Sequence, residues 1–273
     1  MIAPRLSVRW TIGDVSKFGF ESLALSICGA RRIFGSQARY TVTYNTITLT
    51  ELRERLGEIG DGIEWCDATG LLPDFVDQAL DAGRAEGAGW KLAPPLLDTL
   101  PCLSLDNDCI LWAIPDAIAR WLEHAHDSCC AVVAEDVRAC YGQFTPLIPG
   151  DFACNLGIRA TSAGFPLTSA LRRVLEDNQV VLHSELDEQG LQLAAIMRHC
   201  VPDRVRLDEV TICSPFPPHL PYLGTAGAHF CGLNANVLPW EFYGRPALDC
   251  VREHWLRHRD TIAARVGTLP ATL

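Results

Sequence analysis

The sequence predicts a layered α/β domain in which a mostly parallel sheet is flanked by helices. Three observations predict it. Segments of strand and helix periodicity alternate through the first 70 residues, the pattern of parallel strands joined by crossover helices. The 273 residues are enough for one large domain, and no repeat, low-complexity tract or Pro/Gly/Ser linker divides them. The hydrophobic content of 48% and charged content of 21% are those of a soluble globular protein.

The elements follow in order. "RLSVRWTIGD" alternates and then turns, so it reads as a first strand. "GFESLALSICGARRIFG" has helical spacing and stops at Gly35. "RYTVTYN" is a second strand, "ELRERLGEI" a short helix and "GIEWCDATG" a third strand. "PDFVDQALDAG" reads as a helix or turn, and "GWKLAPPLLDTL" leads into the apolar "CLSL". "CCAVVAEDV", "ACNLGIRAT" and "EVTICS" are expected as strands, and "PLTSALRRVLEDN" and "ELDEQGLQLAAIMRHC" as helices. The tail, 244–273, reads as one long helix with a polar face of Arg, His and Asp.

Composition narrows the function. The net charge is −10 with no basic tract, which argues against nucleic-acid binding. The N-terminal "MIAPRLSVRWTIGD" has no secretory core, and no apolar run reaches membrane-span length. A cytoplasmic protein is expected, with any membrane contact peripheral. The 12 cysteines lie mostly inside apolar runs and form no CxxC, so they are expected as reduced thiols. Of 23 basic side chains only Lys17 and Lys91 are lysine, which singles out each.

Five stretches carry possible chemistry. In "PCLSLDNDCILW", residues 101–112, Asp106 and Asp108 break an apolar run. At i and i+2 of an extended chain they point to one side, so they mark either an exposed strand end or a cation site. Hard carboxylate oxygens at the carboxyl end of a sheet suit Mg²⁺ or Mn²⁺; a solvated turn is the plain alternative. His229 stands in the Gly-rich stretch 228–240 as a structural residue or a third metal ligand. Asn155-x-Gly157 inside a strand marks a bulge or a close backbone approach, with a plain turn the alternative, and Asn155 offers a donor and an acceptor to a ligand hydroxyl. Glu188 and Gln192 lie one turn apart on a helix face, where acidic residues also serve the helix dipole. Lys91 is a point charge for a diphosphate, or an ordinary surface lysine.

The order of these pieces is more specific than any one of them. Lys-Leu, an apolar strand ending in DxD, Asn-x-Gly, an acidic residue before Gln-Gly-Leu, and His-Phe-x-Gly followed by Pro-Trp follow in this order, and with the first strand the matching segments run from roughly residue 8 to 240. The chain resembles the retaining nucleotide-sugar glycosyltransferases of the GT-A fold, the group that includes glycogenin, galactinol synthase and lipopolysaccharide galactosyltransferases. The resemblance implies a single GT-A, Rossmann-like domain over 1–273. It implies Mn²⁺ (or Mg²⁺) held by Asp106, Asp108 and His229, and a UDP-sugar donor with a hydroxyl acceptor. Lys91, Asn107 and Gly232 fall on the donor side, and Thr11, Ile12, Gly13 and Asp67 near the nucleoside. Asn155, Glu188, Asp187 and Gln189 fall around the donor sugar.

The sequence departs from the family in three places. The family has Asp before Gln where this chain has Glu188, preceded by Asp187. The late motif is longer and has Leu238 where the family has Lys, with Arg245 a substitute for the missing charge. The segment 113–150 reads as an insert or acceptor-side region, and its His124, His126 and Cys129 lack a fourth zinc ligand. Two other readings stand beside the transferase. They are a phosphohydrolase of the haloacid-dehalogenase type, which also places DxD after an apolar strand, and a non-catalytic sugar-nucleotide binding protein.

Overall fold

The computed structural model describes residues 5–69, 71–80, 90–93, 99–126 and 129–267. The first strand-helix units are β1 (Leu6–Ile12), α1 (Lys17–Phe34), β2 (Ala38–Tyr44), α2 (Leu49–Leu56) and β3 (Glu64–Asp67). Their ends have physical causes. Ser16 and Thr48 cap α1 and α2 by accepting from the backbone N–H three residues on, and Gly35 and Gly57 end them at positive φ. A single-turn α3 (Asp74–Asp77) and a 3-10 turn, Trp90–Leu92, precede β4 (Cys102–Leu105). Residues 81–83 of the expected helix and 94–98 of the run into β4 lie outside the described residues.

The middle of the chain gives β5 (Cys109–Leu111), α4 (Asp116–His124), β6 (Ala131–Glu135), a 3-10 turn at Gly142–Leu147, and β7 (Cys154–Thr161). Helices α5 (Leu167–Asn178) and α6 (Glu185–Met197) follow, then β8 (Asp203–Val205), β9 (Val210–Ile212) and β10 (Gly227–His229). The short pair β11 (Glu241–Phe242) and β12 (Arg245–Pro246) leads into α7 (Ala247–Val266). No helix among the described residues is long and apolar enough to cross a membrane.

Seven strands form the central sheet in the order β3-β2-β1-β4-β7-β6-β8. All neighbours are parallel except β7, which runs antiparallel to both β4 and β6. The carboxyl ends of β1 to β4 and the amino end of β7 therefore share one edge. Within the segment 113–150, β6 is a strand of this sheet and α4 packs on its face. One face carries Val8, Trp10, Leu103, Leu105 and Ile158 against α1, α2 and α4. Around β6 and β7 the other face packs against α5 and α6.

That second face is polar around β1, and it is buried. Thr41, Arg9, Ser104 and Arg159 stand in register across four strands. Arg9 is 2% exposed, donating to Thr43 Oγ1 at 3.1 Å and to the Ala93 carbonyl at 2.7 Å. A charged residue alternating with apolar ones usually marks a solvated face. Here Ala93 lies against it, its carbonyl accepting from Arg9.

A second sheet, β5-β10-β9, sits beside the first under α1 and α7. Its closeness to α1 rests on Gly29, where a Cβ would lie 2.0 Å from the Leu111 carbonyl oxygen. Ser26 Oγ links the layers, accepting from Trp10 Nε1 at 2.8 Å and donating to the Cys109 carbonyl at 2.6 Å. Gly-to-Ala in a helix interior ordinarily stabilises by about 1 kcal/mol. Gly29→Ala should instead destabilise by about 1–3 kcal/mol, because the helix must move off the strand. The urea midpoint measures this, and a midpoint at or above wild type would contradict the close packing.

Candidate active site

The site forms where the chain passes from one sheet to the other. After Leu105 it turns through Asp106-Asn107-Asp108 and enters β5, with the Cys109 N–H donating to the Asp106 carbonyl at 2.9 Å. Of the alternatives the sequence leaves open, an exposed strand end is not what forms. The acidic pair occupies a tight turn, and Asp108 is 3% exposed. Asn107 holds the turn down through a reciprocal amide pair with Asn234, at 2.8 and 2.7 Å, and reaches the Gly19 carbonyl.

His229 comes from the neighbouring strand, not from a loop. It ends β10 opposite Cys109 in the antiparallel pair, and the next N–H, Phe230, donates to the Asp108 carbonyl. Its Nε2 lies 3.2 Å from Asp108 Oδ1 and 3.7 Å from Asp106 Oδ2. One donor atom from each of the three residues falls within 4.8 Å of the others. Burial works to lower the imidazole pKa, but Cys231 and Asp108 outweigh it and hold it well above its ordinary value.

Gly157 makes room for that ring. A Cβ at this position would lie 2.2 Å from His229 Cε1. The bulge expected at Asn155-x-Gly157 is present, since the β6–β7 register jumps from Arg159 to Asn155. Asn155 Oδ1 accepts from the Gly157 N–H at 2.7 Å, and the Gly157 carbonyl accepts from the Asp106 N–H at 2.9 Å. Gln189 secures the bulge from α6, accepting from the Leu156 N–H at 3.1 Å and donating to the Cys140 carbonyl at 2.9 Å.

Lys91 is not an ordinary surface lysine. Its Nζ lies 2.8 Å from Asp106 Oδ1 and 2.9 Å from Oδ2. Burial acts to lower its pKa, and Asp106 and Glu188 raise it more. The adjacent acids on α6 separate in role. Asp187 accepts from the N–H groups of Gln143 and His183 at 2.8 and 2.9 Å, a capping arrangement that holds it below its ordinary value against its burial. Glu188 faces Lys91, Asp106 and Arg159, and burial pushes it up to about 7, with Lys91 opposing and Asp106 adding. Gln192 Nε2 donates to Glu188 Oε1, while Gln192 Oε1 has no partner among the described residues. Turning that amide over lets a protonated Glu188 donate to the free oxygen.

The remaining candidates stand further along the same edge. Ile12 and Tyr44 pair in register, as do Tyr44 and Asp67, so Thr11, Ile12, Gly13 and Asp67 line the ends of β1 and β3. Asp67 is exposed and accepts from the Thr69 N–H at 2.9 Å. Gly232 has φ +85° and lies on the chain leaving His229. Leu238 packs against the core under α7, and Arg245, the expected substitute cation, is paired with Glu253. Cys231, 3.4 Å from His229 Nδ1, and the buried Arg159 were missed in the sequence. A cysteine two residues after a candidate ligand and an arginine inside an apolar strand were the available signals.

The raised carboxyl makes a stability prediction. Glu188 titrates near 7 when folded, against an ordinary 4.5, so the native state holds the proton more tightly in that window. Stability from this group should fall as pH rises from about 5 to about 7, by at most about 1.4 kcal/mol per pH unit. In metal-free Glu188→Gln that part of the slope should vanish. Urea midpoints across the window test it, and equal slopes in both proteins would place the folded Glu188 at its ordinary pKa.

No protein-family profile matches the sequence, and no curated protein matches it either. Solved structures do match. The galactosyltransferase LgtC, in complex with donor and acceptor sugar analogues, superposes with a TM-score of 0.53 at 12% identity, covering 98% of this chain and 100% of that one. The bifunctional glycosyltransferase WbbM superposes with a TM-score of 0.59 at 13% identity, covering 97% of this chain and 52% of that one. Nearly the whole chain thus superposes on these two glycosyltransferases, and it has the fold of the GT-A glycosyltransferases.

Proposed function

We propose that this chain is a metal-dependent glycosyltransferase that moves a sugar from a UDP-sugar to a hydroxyl acceptor with retention of configuration. The observation that carries this reading is the convergence of Asp106, Asp108 and His229 from two sheets, with Lys91 against Asp106. Two carboxylates and an imidazole fit Mn²⁺, or Mg²⁺ with more of its water retained. When bound, the ion supplies positive charge to the departing diphosphate.

The chain's own residues do the rest. Lys91 adds a point charge for the same diphosphate. Thr11, Ile12, Gly13 and Asp67 lie along the edge for the nucleoside. Asn155 and Gln189 fix the bulge beside the donor sugar. Glu188 is the carboxyl for that sugar, because Asp187 is taken up by its cap. Near pH 7 Glu188 is poised to donate to a sugar hydroxyl or, ionised, to face positive charge developing at the anomeric carbon.

A second reading, a sugar-nucleotide binding protein without transfer, draws on one observation. Leu238 is packed in apolar surroundings where the resembling family has a lysine. Product analysis with UDP-sugars separates the two: sugar transfer or donor hydrolysis against binding alone. The phosphohydrolase reading gains no support, since nearly the whole chain superposes on LgtC and WbbM, both glycosyltransferases.

Two outcomes test the assignment by calorimetry. Asp108→Asn keeps the side chain's shape in its buried turn, so the protein should fold but lose Mn²⁺-enhanced UDP binding by about 10- to 100-fold. Unchanged Mn²⁺ and UDP binding would remove Asp108 from the metal. Lys91→Ala should weaken UDP by about 10- to 100-fold, the value of a charge-assisted bond, and leave uridine nearly unaffected. Equal losses for both would move Lys91 off the diphosphate.

A further inference from the structure

Away from the acidic turn, metal-ligating side chains converge at one other place among the described residues. Cys213 follows β9, while His254 and His258 lie one turn apart on α7 and so share a face. One donor atom from each lies within 4.8 Å of the others. Cys213 Sγ is 3.2 Å from His254 Nε2, and these two residues are 2% and 3% exposed. His258 is half-buried at the rim, with Nε2 3.1 Å from the Pro221 carbonyl oxygen. A carbonyl only accepts, so Nε2 carries the ring proton and Nδ1 keeps its lone pair. A backbone carbonyl on the far nitrogen is the usual way a metal-ligating histidine is oriented.

The donor set is opposite in character to that of the acidic turn. A thiolate and two imidazoles suit a borderline-soft ion, whereas two carboxylates suit a hard one. We propose that Cys213, His254 and His258 form a second metal site, which takes Zn²⁺ and leaves one position to solvent on the His258 side. Burial pushes the Cys213 thiol up to about 12, so the S–H bond breaks as the Zn–S bond forms and the proton leaves to solvent. His254, held down to about 4 by burial and by His258 and Arg257, is already neutral and releases none.

The site bears on the strand that carries His229. The Cys213 N–H donates to the His229 carbonyl at 2.8 Å. Phe230 packs edge-on to Trp255, with centroids 5.0 Å apart, and tilted against the His254 ring at 6.1 Å. An ion there would tie α7 to β9 and brace β10 from behind.

Co²⁺ in place of Zn²⁺ makes the thiolate bond visible. The full chain, stripped by a chelator and titrated with Co²⁺ alone, should develop a thiolate-to-cobalt charge-transfer band in the near ultraviolet. The band should persist in Cys231→Ala, which removes the thiol beside His229, and vanish in Cys213→Ala. His258→Gln, at the half-exposed rim, should fold and bind about 10- to 100-fold more weakly. Zn²⁺ alone should raise the melting temperature of wild type more than that of His258→Gln. No band in wild type, a band that survives Cys213→Ala, or one that disappears with Cys231→Ala would overturn the proposal. Should Cys213→Ala fail to fold, undiminished Co²⁺ affinity in His258→Gln would overturn it alone.

Discussion

Negative charge held away from water at the end of β4 sets what the surrounding structure must supply. Asp108 and Glu188 are each 3% exposed, and Asp106 is paired with Lys91. An unpaired buried carboxylate costs several kcal/mol, so these groups are tolerable only beside positive charge or shared protons. The chain delivers both from distant places. Lys91 arrives on a 3-10 turn, His229 on β10, and Arg159 along β7 within electrostatic reach of Glu188 and Asp106. Glu188 answers in the other way, by holding its proton to about pH 7. The cluster is thus balanced by positive side chains brought from other segments and by a carboxyl that holds its proton.

Such balance requires two sheets to meet within a few ångströms. The meeting rests on residues with no side chain. Gly29 brings α1 onto β5, Gly157 clears the space that the His229 ring fills, and Gly227 lets β10 lie close to Ile110 and Val210. The conformational cost of glycine within a helix or a strand is offset by contacts that any Cβ would prevent. Around them the polar fasteners are short and specific: Ser26 between β1 and β5, the Asn107–Asn234 pair under the turn, and Gln189 across the bulge. The site is therefore carried on paired strands and a capped helix.

The GT-A fold was legible because periodicity survives burial. Strand and helix order along the chain follows from alternation and capping residues, and Gly35, the Asn155 bulge and the Glu188–Gln192 face fell where local chemistry puts them. The candidate ligands were legible for a related reason: carboxylates and an imidazole interrupting apolar runs are costly unless they have partners. Less was legible where a residue type has two ordinary uses. Arg9 and Arg159 look like solvent-facing positions of alternating strands, and both are buried, Arg9 donating to the Ala93 carbonyl.

Sequence by itself determined the order of elements, the acidic pair and the list of residues able to serve it, since these depend on local preference and on the cost of burying charge. Tertiary structure decided which of them meet. It turned the Asp106–Asp108 step into a buried turn, set His229 on a strand opposite Cys109, gave Lys91 to Asp106, and separated the capping Asp187 from the buried Glu188. It also put β6, from the segment 113–150, into the central sheet. Those outcomes depend on pairing register and layer contacts between segments more than a hundred residues apart in the case of Asp108 and His229, a relation that no local pattern encodes.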